Sequence, residues 1–414
     1  MSADEIPITW QVTTTPLASE RSLVDHAPAD ALVWLHGDDG LVAWGEAMRL
    51  PIGVSDLRMR AFASALAAIQ STVTVEDDVG LPGSGLVAFA SATFDLEGTA
   101  SVGIIPRRIV GRRDGVTWTT MIDPIDAPPF RDPPSWDADV ATDRPRFAGS
   151  SIPDAHWLVA VHEALDQIRG GHVTKVVLAR DHAVWSHEPF DTGLLVRRLH
   201  ERFAGCFTFH VDGLVGASPE LLVRRFGRDI TSEVFAGTAS RSDDATADER
   251  LAQELAHSDK NLREHALARE SVATPLGELC DDLDVPPTPQ LRMLANVHHL
   301  ATRITGRLRA DTSVGELVDL LHPTAAVGGT PRFEAVELLR RLEGMDRGRY
   351  AGPVGWLDSR GDGEFAIALR CAELSGARAR LFAGAGVVEG SLPEDELEET
   401  RLKLLAMRGV MEAE

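Results

Sequence analysis

Positive charge is scarce in this chain. Of its 414 residues, 41 are Lys or Arg against 63 Asp or Glu, a formal charge of −22 at pH 7. Nucleic acid and anionic membranes bind through concentrated Lys and Arg, so neither is an expected partner, and an anionic ligand must find its cations locally. Cysteine is sparser still. Cys206, Cys280 and Cys371 are odd in number and far apart; they make no CxxC pair and no zinc spacing, which points to a reducing compartment and packing roles. Nor is there a run of about 18 uncharged apolar residues able to cross a bilayer. The N-terminal "MSADEIPITWQ" lacks the basic and apolar regions of a signal peptide. A cytoplasmic protein is expected, and at 44% hydrophobic the chain can bury one large core or two medium ones.

What is present falls into three stretches. Residues 1–122 read as β-rich, with a hairpin signal at Gly-Asp-Asp-Gly in "DALVWLHGDDGLVAWGEAMRL" and further strands in "GLVAFASATF" and "SVGIIPRRIVGRRDGVTWTTMID". Residues 123–153, rich in Pro and Asp, read as a long surface connection. Residues 154–410 are mixed. "DAHWLVAVHEALDQIRGG" has helical spacing and a Gly-Gly exit, "KVVLARDHAVW" reads as a strand, "FDTGLLVRRLHERF" as a short helix, and about Asp248 to Leu279 as one long helix. Another hairpin turns at Ser-Arg-Gly-Asp-Gly in "YAGPVGWLDSRGDGEFAIALRCAEL". Hairpins interrupted by helices, without a regular βαβ beat, indicate an α+β fold. We expect a single domain over 1–414, with large, mostly antiparallel sheets packed face to face and helices outside.

Several side chains are out of place for plain packing. Lys175 opens an apolar strand after Gly170-Gly171; it is either a snorkelling surface lysine or a base facing a pocket. Arg370 stands inside "AIALRC", and a buried arginine needs an anionic partner. Glu220 follows the Ser-Pro turn of "GASPELLV", as a turn acid or a partly buried proton donor. Glu264 lies within the long helix as one carboxylate of a possible Mg²⁺ site, an ion that prefers oxygen ligands, or as part of a solvated face. In "GAGVVEGSLPEDELEETRLKLL", Gly384, Gly386 and Gly390 miss the dinucleotide spacing by one position and read as a turn between strand and helix, whose amides could approach a carboxylate. Glu394, Asp395 and Glu396 suit the first turn of a helix. Glu399 and Lys403, four apart, share a helix face.

Taken together, "KVVLAR", "GASPELLV", "FAGTASR", "ELAHSDKNLREHALARESV", "LHPTAAVGGTPR", "RGRYAGPVGW", "FAIALRCAEL" and "FAGAGVVEGSLPEDELEETRLKL" resemble, in order, the chorismate-utilising enzymes, and most closely the isochorismate synthases. The resemblance spans about residues 150 to 410. It implies Mg²⁺ held by Glu264 and Glu399 against the substrate carboxylate, with Glu396 holding metal-bound water. Gly384 and Gly386 would meet a carboxylate near Lys403, and Arg370, near Tyr350, would pair with the enolpyruvyl carboxylate. Gly237 and Thr238 match the family's substrate-contacting turn; His299 matches its active-site histidine, with His298 the alternative. Asn261 departs from the pattern, since some relatives carry an acid there.

The implied reaction converts chorismate to isochorismate, feeding menaquinone or siderophore biosynthesis. Lys175 activates a water that adds at C2, and Glu220 protonates the departing C4 hydroxyl. The resemblance implies that relatives using ammonia lack Lys175, and that salicylate synthases, which go on to eliminate pyruvate, carry threonine at the position of Ala326. Salicylate synthase is therefore the alternative, and a non-catalytic chorismate-binding subunit the reading from another class. The family commonly works as a monomer, and a monomer is expected here.

Overall fold

The computed structural model describes residues 9–125, 128, 130–133, 144–294 and 297–412. Among them are 21 strands and eight α-helices. The strands form one hydrogen-bonded network in which a single pair, Trp10–Pro16 with Thr74–Asp77, is parallel. The network folds into two layers at the strand Val102–Arg113. Its first residues pair with Val87–Ser91, and its last with Val116–Pro124. One layer continues from Val87–Ser91 through Pro353–Asp358, Gly363–Ile367 and Leu221–Phe226 to Asp229–Ser240 and Val297–Leu308. The other runs through Asp39–Pro51, Leu32–His36, Phe207–Val211, Leu214–Ser218 and Cys371–Ser375 to Arg378–Val388 and Lys175–Trp185. Strands from residues 1–122 thus pair directly with strands from residues 154–410.

Two buried apolar clusters fill the interior. The larger contains Trp34, Phe89, Trp157, Trp356 and Phe365; the smaller contains Leu199, Leu381 and Met407. Lys175–Trp185 and Arg378–Val388 lie side by side and pass from one cluster to the other, with Val176 and Val387 in the first and Val184 and Leu381 in the second. All three cysteines are free and buried.

The β-rich first third also holds one α-helix, Arg58–Gln70, formed by "RMRAFASALAAIQ". Three local readings are corrected. The expected long helix is two, Ala245–His257 and Asp259–Leu279. Ser258 between them is extended, with φ −75° and ψ 111°, and its hydroxyl accepts the Asn261 N–H, as an N-cap serine does. In the second helix the buried stripe is His265, Ala268, Val272 and Leu276. Within 123–153, residues 126, 127, 129 and 134–143 lie outside the described residues, but Arg146–Gly149 is a strand paired with the end of Lys175–Trp185. Finally, Gly384 and Gly386 do not form a turn. They sit inside the strand Arg378–Val388, opposite Ala179 and Val177, and only Gly390, at φ +89°, belongs to the turn that follows.

Candidate active site

Two helices and the paired strands meet around a small cleft of about 70 Å³, lined by Glu220, His299, Ala326, Tyr350, Arg370, Gly384 and Lys403 among apolar side chains that include Phe235 and Phe382. Glu220 follows the Ser218-Pro219 turn, where the strand Leu221–Phe226 slips register against both neighbours. Its backbone N–H donates to Ser218 Oγ at 3.2 Å, and its side chain is buried. Burial pushes the Glu220 carboxyl up to about 8 against the opposing charges of Lys175 and Lys403. At neutral pH it carries a proton.

Lys175 is fully buried. Its Nζ lies 3.0 Å from Glu264 Oε1, a charge contact without hydrogen-bond alignment. The approach depends on Gly386: a Cβ there would stand 2.1 Å from Glu264 Oε1 and 3.3 Å from Lys175 Cε. The carboxylate that this glycine admits is the protein's own. Gly384 likewise leaves room for the Tyr350 hydroxyl, 3.1 Å from where its Cβ would be, and its carbonyl accepts from Lys403 Nζ at 2.9 Å. The Tyr350 ring stacks on Phe382 at 5.0 Å, and burial raises its phenol above the ordinary range.

His298 and His299 are consecutive on a strand, so their side chains leave opposite faces. His298 turns to Asp248, 2.9 Å from its carboxylate, within a cluster that Arg241 completes. His299 turns into the cleft. Burial, then the charges of Arg370 and Lys403, hold its imidazole well below its usual value, so it is neutral. Its Nε2 accepts from Arg370 Nη2 at 2.6 Å, which leaves the proton on Nδ1, within 3.2 Å of the Gly237 carbonyl and of Thr238 Oγ1. Gly237, at φ +81°, makes the bulge that brings this carbonyl round. Arg370 itself is left-handed at φ +47°. That conformation costs a non-glycine residue about 1–3 kcal/mol and concentrates at functional sites.

Beside the cleft, three glutamates converge from two helices. Glu264 comes from Asp259–Leu279, and Glu396 and Glu399 from Pro393–Glu412. Glu394 and Asp395 are exposed helix-start acids, as expected, but Glu396 is buried. Each glutamate has a lysine. Beyond the Lys175 contact, Lys260 Nζ is 2.5 Å from Glu396 and Lys403 Nζ is 2.6 Å from Glu399. Burial pushes the Glu264 carboxyl up, but Lys175, with Lys403 and Lys260 behind it, more than offsets that and holds it below its ordinary value. Burial, then the charge of Glu399, raises Glu396 to about 7. This all-oxygen donor set is the kind that Mg²⁺ takes. In the present pairing the lysines hold the carboxylates, and among the described residues no three acidic, His or Cys side chains are drawn together closely enough to grip an ion. Asn261 is turned away, its amide donating to Ser258 Oγ at 3.0 Å.

A family model described as chorismate binding enzyme matches residues 137–412, more than half of the chain. The chain belongs to the chorismate-binding enzymes. It is 44% identical over 274 residues to a MenF protein of Mycobacterium tuberculosis, a match covering 62% of this chain and 73% of that one. It is 43% identical over 264 residues to the isochorismate synthase DhbC of Bacillus subtilis, covering 61% and 66%. Among solved structures, the menaquinone-specific isochorismate synthase MenF of Escherichia coli superposes with a TM-score of 0.77 at 26% identity, over 99% of this chain and 96% of that one. In this chorismate-binding enzyme, the cleft brings together Glu220, His299, Ala326, Tyr350, Arg370, Gly384 and Lys403. Lys175 and the three glutamates adjoin it, and Gly237 and Thr238 stand behind His299. Sequence reasoning missed Lys260. Its only signal was its place four residues before Glu264, and its partner Glu396 is 136 residues away.

Proposed function

We propose that this enzyme is an isochorismate synthase. The observation that carries the reading is the pair at the cleft, a fully buried Lys175 and a buried Glu220 that keeps its proton at pH 7. A lysine and a protonated acid held in one site suit a reaction that takes up water at one ring carbon and releases it at another, with Lys175 acting as base once its ion pair with Glu264 is parted and its ammonium proton is shed. Lys175 takes a proton from the water that bonds to C2. The diene shifts, the C4–O bond breaks, and Glu220 gives its proton to the leaving hydroxyl. One water enters and one leaves, and each proton transfer contributes roughly 10²–10⁴ in rate.

Recognition of the substrate falls to Arg370, aimed by neutral His299, which pairs with the enolpyruvyl carboxylate beside Tyr350. Glu264 and Glu399 would hold Mg²⁺, and Glu396 a water on it. When bound, the ion neutralises carboxylate charge and stabilises charge that develops on the ring. A cleft of about 70 Å³ is contracted beside the roughly 300–1,000 Å³ of small-molecule sites, so substrate entry must part the lysine–glutamate pairs that border it. The product feeds menaquinone or siderophore biosynthesis, and the enzyme works as a cytoplasmic monomer. The test is to incubate the purified protein with chorismate in Mg²⁺ and in EDTA and to separate the products. Isochorismate formed only with metal supports the reading; salicylate and pyruvate as major products, or no turnover, overturn it.

A further inference from the structure

One lysine at this site has no part in the reaction above. Lys260 sits in the first turn of Asp259–Leu279, and its ammonium contacts the Glu396 carboxylate at 2.5 Å. The charges acting on it next are Glu399 and Glu264, so it faces the same three carboxylates as the proposed cation. The two partners differ in burial: Glu396 is 1% exposed, whereas the Lys260 side chain is 30% exposed. A lysine ammonium on a flexible four-carbon stem can swing into solvent, while the buried carboxylate cannot follow. Lys175 supplies the second observation. It is fully buried and its ammonium lies 3.0 Å from the Glu264 carboxylate of the same cluster, so a second carboxylate of the metal-free site is likewise held by a lysine.

We propose that Lys260 is the built-in counter-ion of the metal-free site. It holds Glu396 until a divalent cation displaces it, and so weakens the affinity of the substrate-free enzyme for Mg²⁺. The inference rests on the reading of Glu264, Glu396 and Glu399 as the metal site. Its consequence is order. Without substrate the carboxylates are already neutralised one for one, and the ion gains little by entering. The two carboxylates of chorismate add the negative charge that makes a second cation favourable, so the metal site fills when there is substrate to hold.

The test is calorimetric titration of the chorismate-free protein with Mg²⁺ at fixed ionic strength. Lys260→Met binds Mg²⁺ at least about tenfold tighter than the wild type, and Lys260→Arg, which keeps the charge, binds as the wild type does. Interaction energies of touching residues show up as non-additivity, so on a Glu396→Gln background, where Lys260 has lost its anchor, the gain from Lys260→Met shrinks to less than about threefold. Equal affinities in wild type and Lys260→Met overturn the proposal, as does a gain undiminished on the Glu396→Gln background, which would make Lys260 a bystander charge. Lys260→Gln replaces the methionine variant if that one does not fold. The underlying reading fails separately: turnover of chorismate that is undiminished in EDTA removes the metal site itself, whereas Mg²⁺-dependent turnover with equal calorimetric affinities removes only the role of Lys260.

Discussion

Replacing Glu220 with glutamine separates its catalytic role from its cost to the fold. The side chain keeps its shape, but the amide has no acidic proton to give, so isochorismate formation falls by roughly 10²–10⁴. Stability moves the other way. Glu220 stands at about 8 in the folded protein against an ordinary 4.5, so the native state holds this proton more tightly than the unfolded chain does. Its favourable contribution is complete below pH 4.5 and is eroded as the pH rises towards 8. At about 1.4 kcal/mol per pH unit, the wild type loses about 3 kcal/mol from this group between pH 5.5 and 7.5. Glu220→Gln does not titrate and does not lose it. Urea unfolding of both proteins at the two pH values should therefore show the variant gaining about 3 kcal/mol relative to the wild type, while the wild type's kcat/KM declines above about pH 8 as the acid ionises. A stability gap that does not change with pH, or a variant retaining a tenth of wild-type turnover, refutes the buried protonated acid.

The other site residues give sharper single readouts. Lys175→Ala should lower kcat by roughly 10²–10⁴, and near-normal turnover would remove it as the base. Gly386→Ala places a methyl 2.1 Å from Glu264 Oε1. Because that oxygen ends a flexible side chain, thermal stability should fall by only about 1 kcal/mol while turnover drops more than tenfold; both unchanged would mean that the Lys175–Glu264 contact is dispensable. Arg370→Lys exchanges a planar fork for a point charge. Loss of charge-assisted bonding worth about 1.5–3 kcal/mol should raise KM for chorismate roughly 10- to 100-fold with a smaller change in kcat, and an unchanged KM would count against Arg370 as the carboxylate partner.

Much of this site could be read from the chain because its residues break local rules. Lys175 and Arg370 are cations in apolar stretches of sequence, and both prove buried, Lys175 at the start of a strand and Arg370 in the left-handed bend between two. Strands elsewhere in the fold announced themselves through hairpin turns, such as Gly37-Asp38 between His36 and Asp39. Other features were misread because one local pattern serves two geometries. Two glycines two residues apart look like a flexible turn, yet they also share one face of a strand. Here that face has to be bare, because the Tyr350 hydroxyl and the Glu264 carboxylate occupy the space of the missing Cβ atoms. The break at Ser258 was visible in principle, since Ser-Asp is a helix-start signal, but apolar residues at helical spacing on both sides masked it. The helix Arg58–Gln70 was hidden among hairpins in the same way. Lys260 was beyond reach, because nothing local to residue 260 says that residue 396 will be beside it.

That lysine completes the charge balance that the composition raised. In a chain this acidic, four cations, Lys175, Lys260, Lys403 and Arg370, are gathered against three carboxylates, Glu264, Glu396 and Glu399. Counted formally, with Glu220 protonated, the site carries one net positive charge. A dianionic substrate alone would make it net negative, and a divalent cation alone would make it strongly positive; both states are unfavourable in a buried site, where unpaired charge is expensive. Substrate and cation together return it to its starting charge. The excess of cationic side chains over carboxylates, one charge supplied by Arg370, therefore favours joint occupancy over either ligand alone.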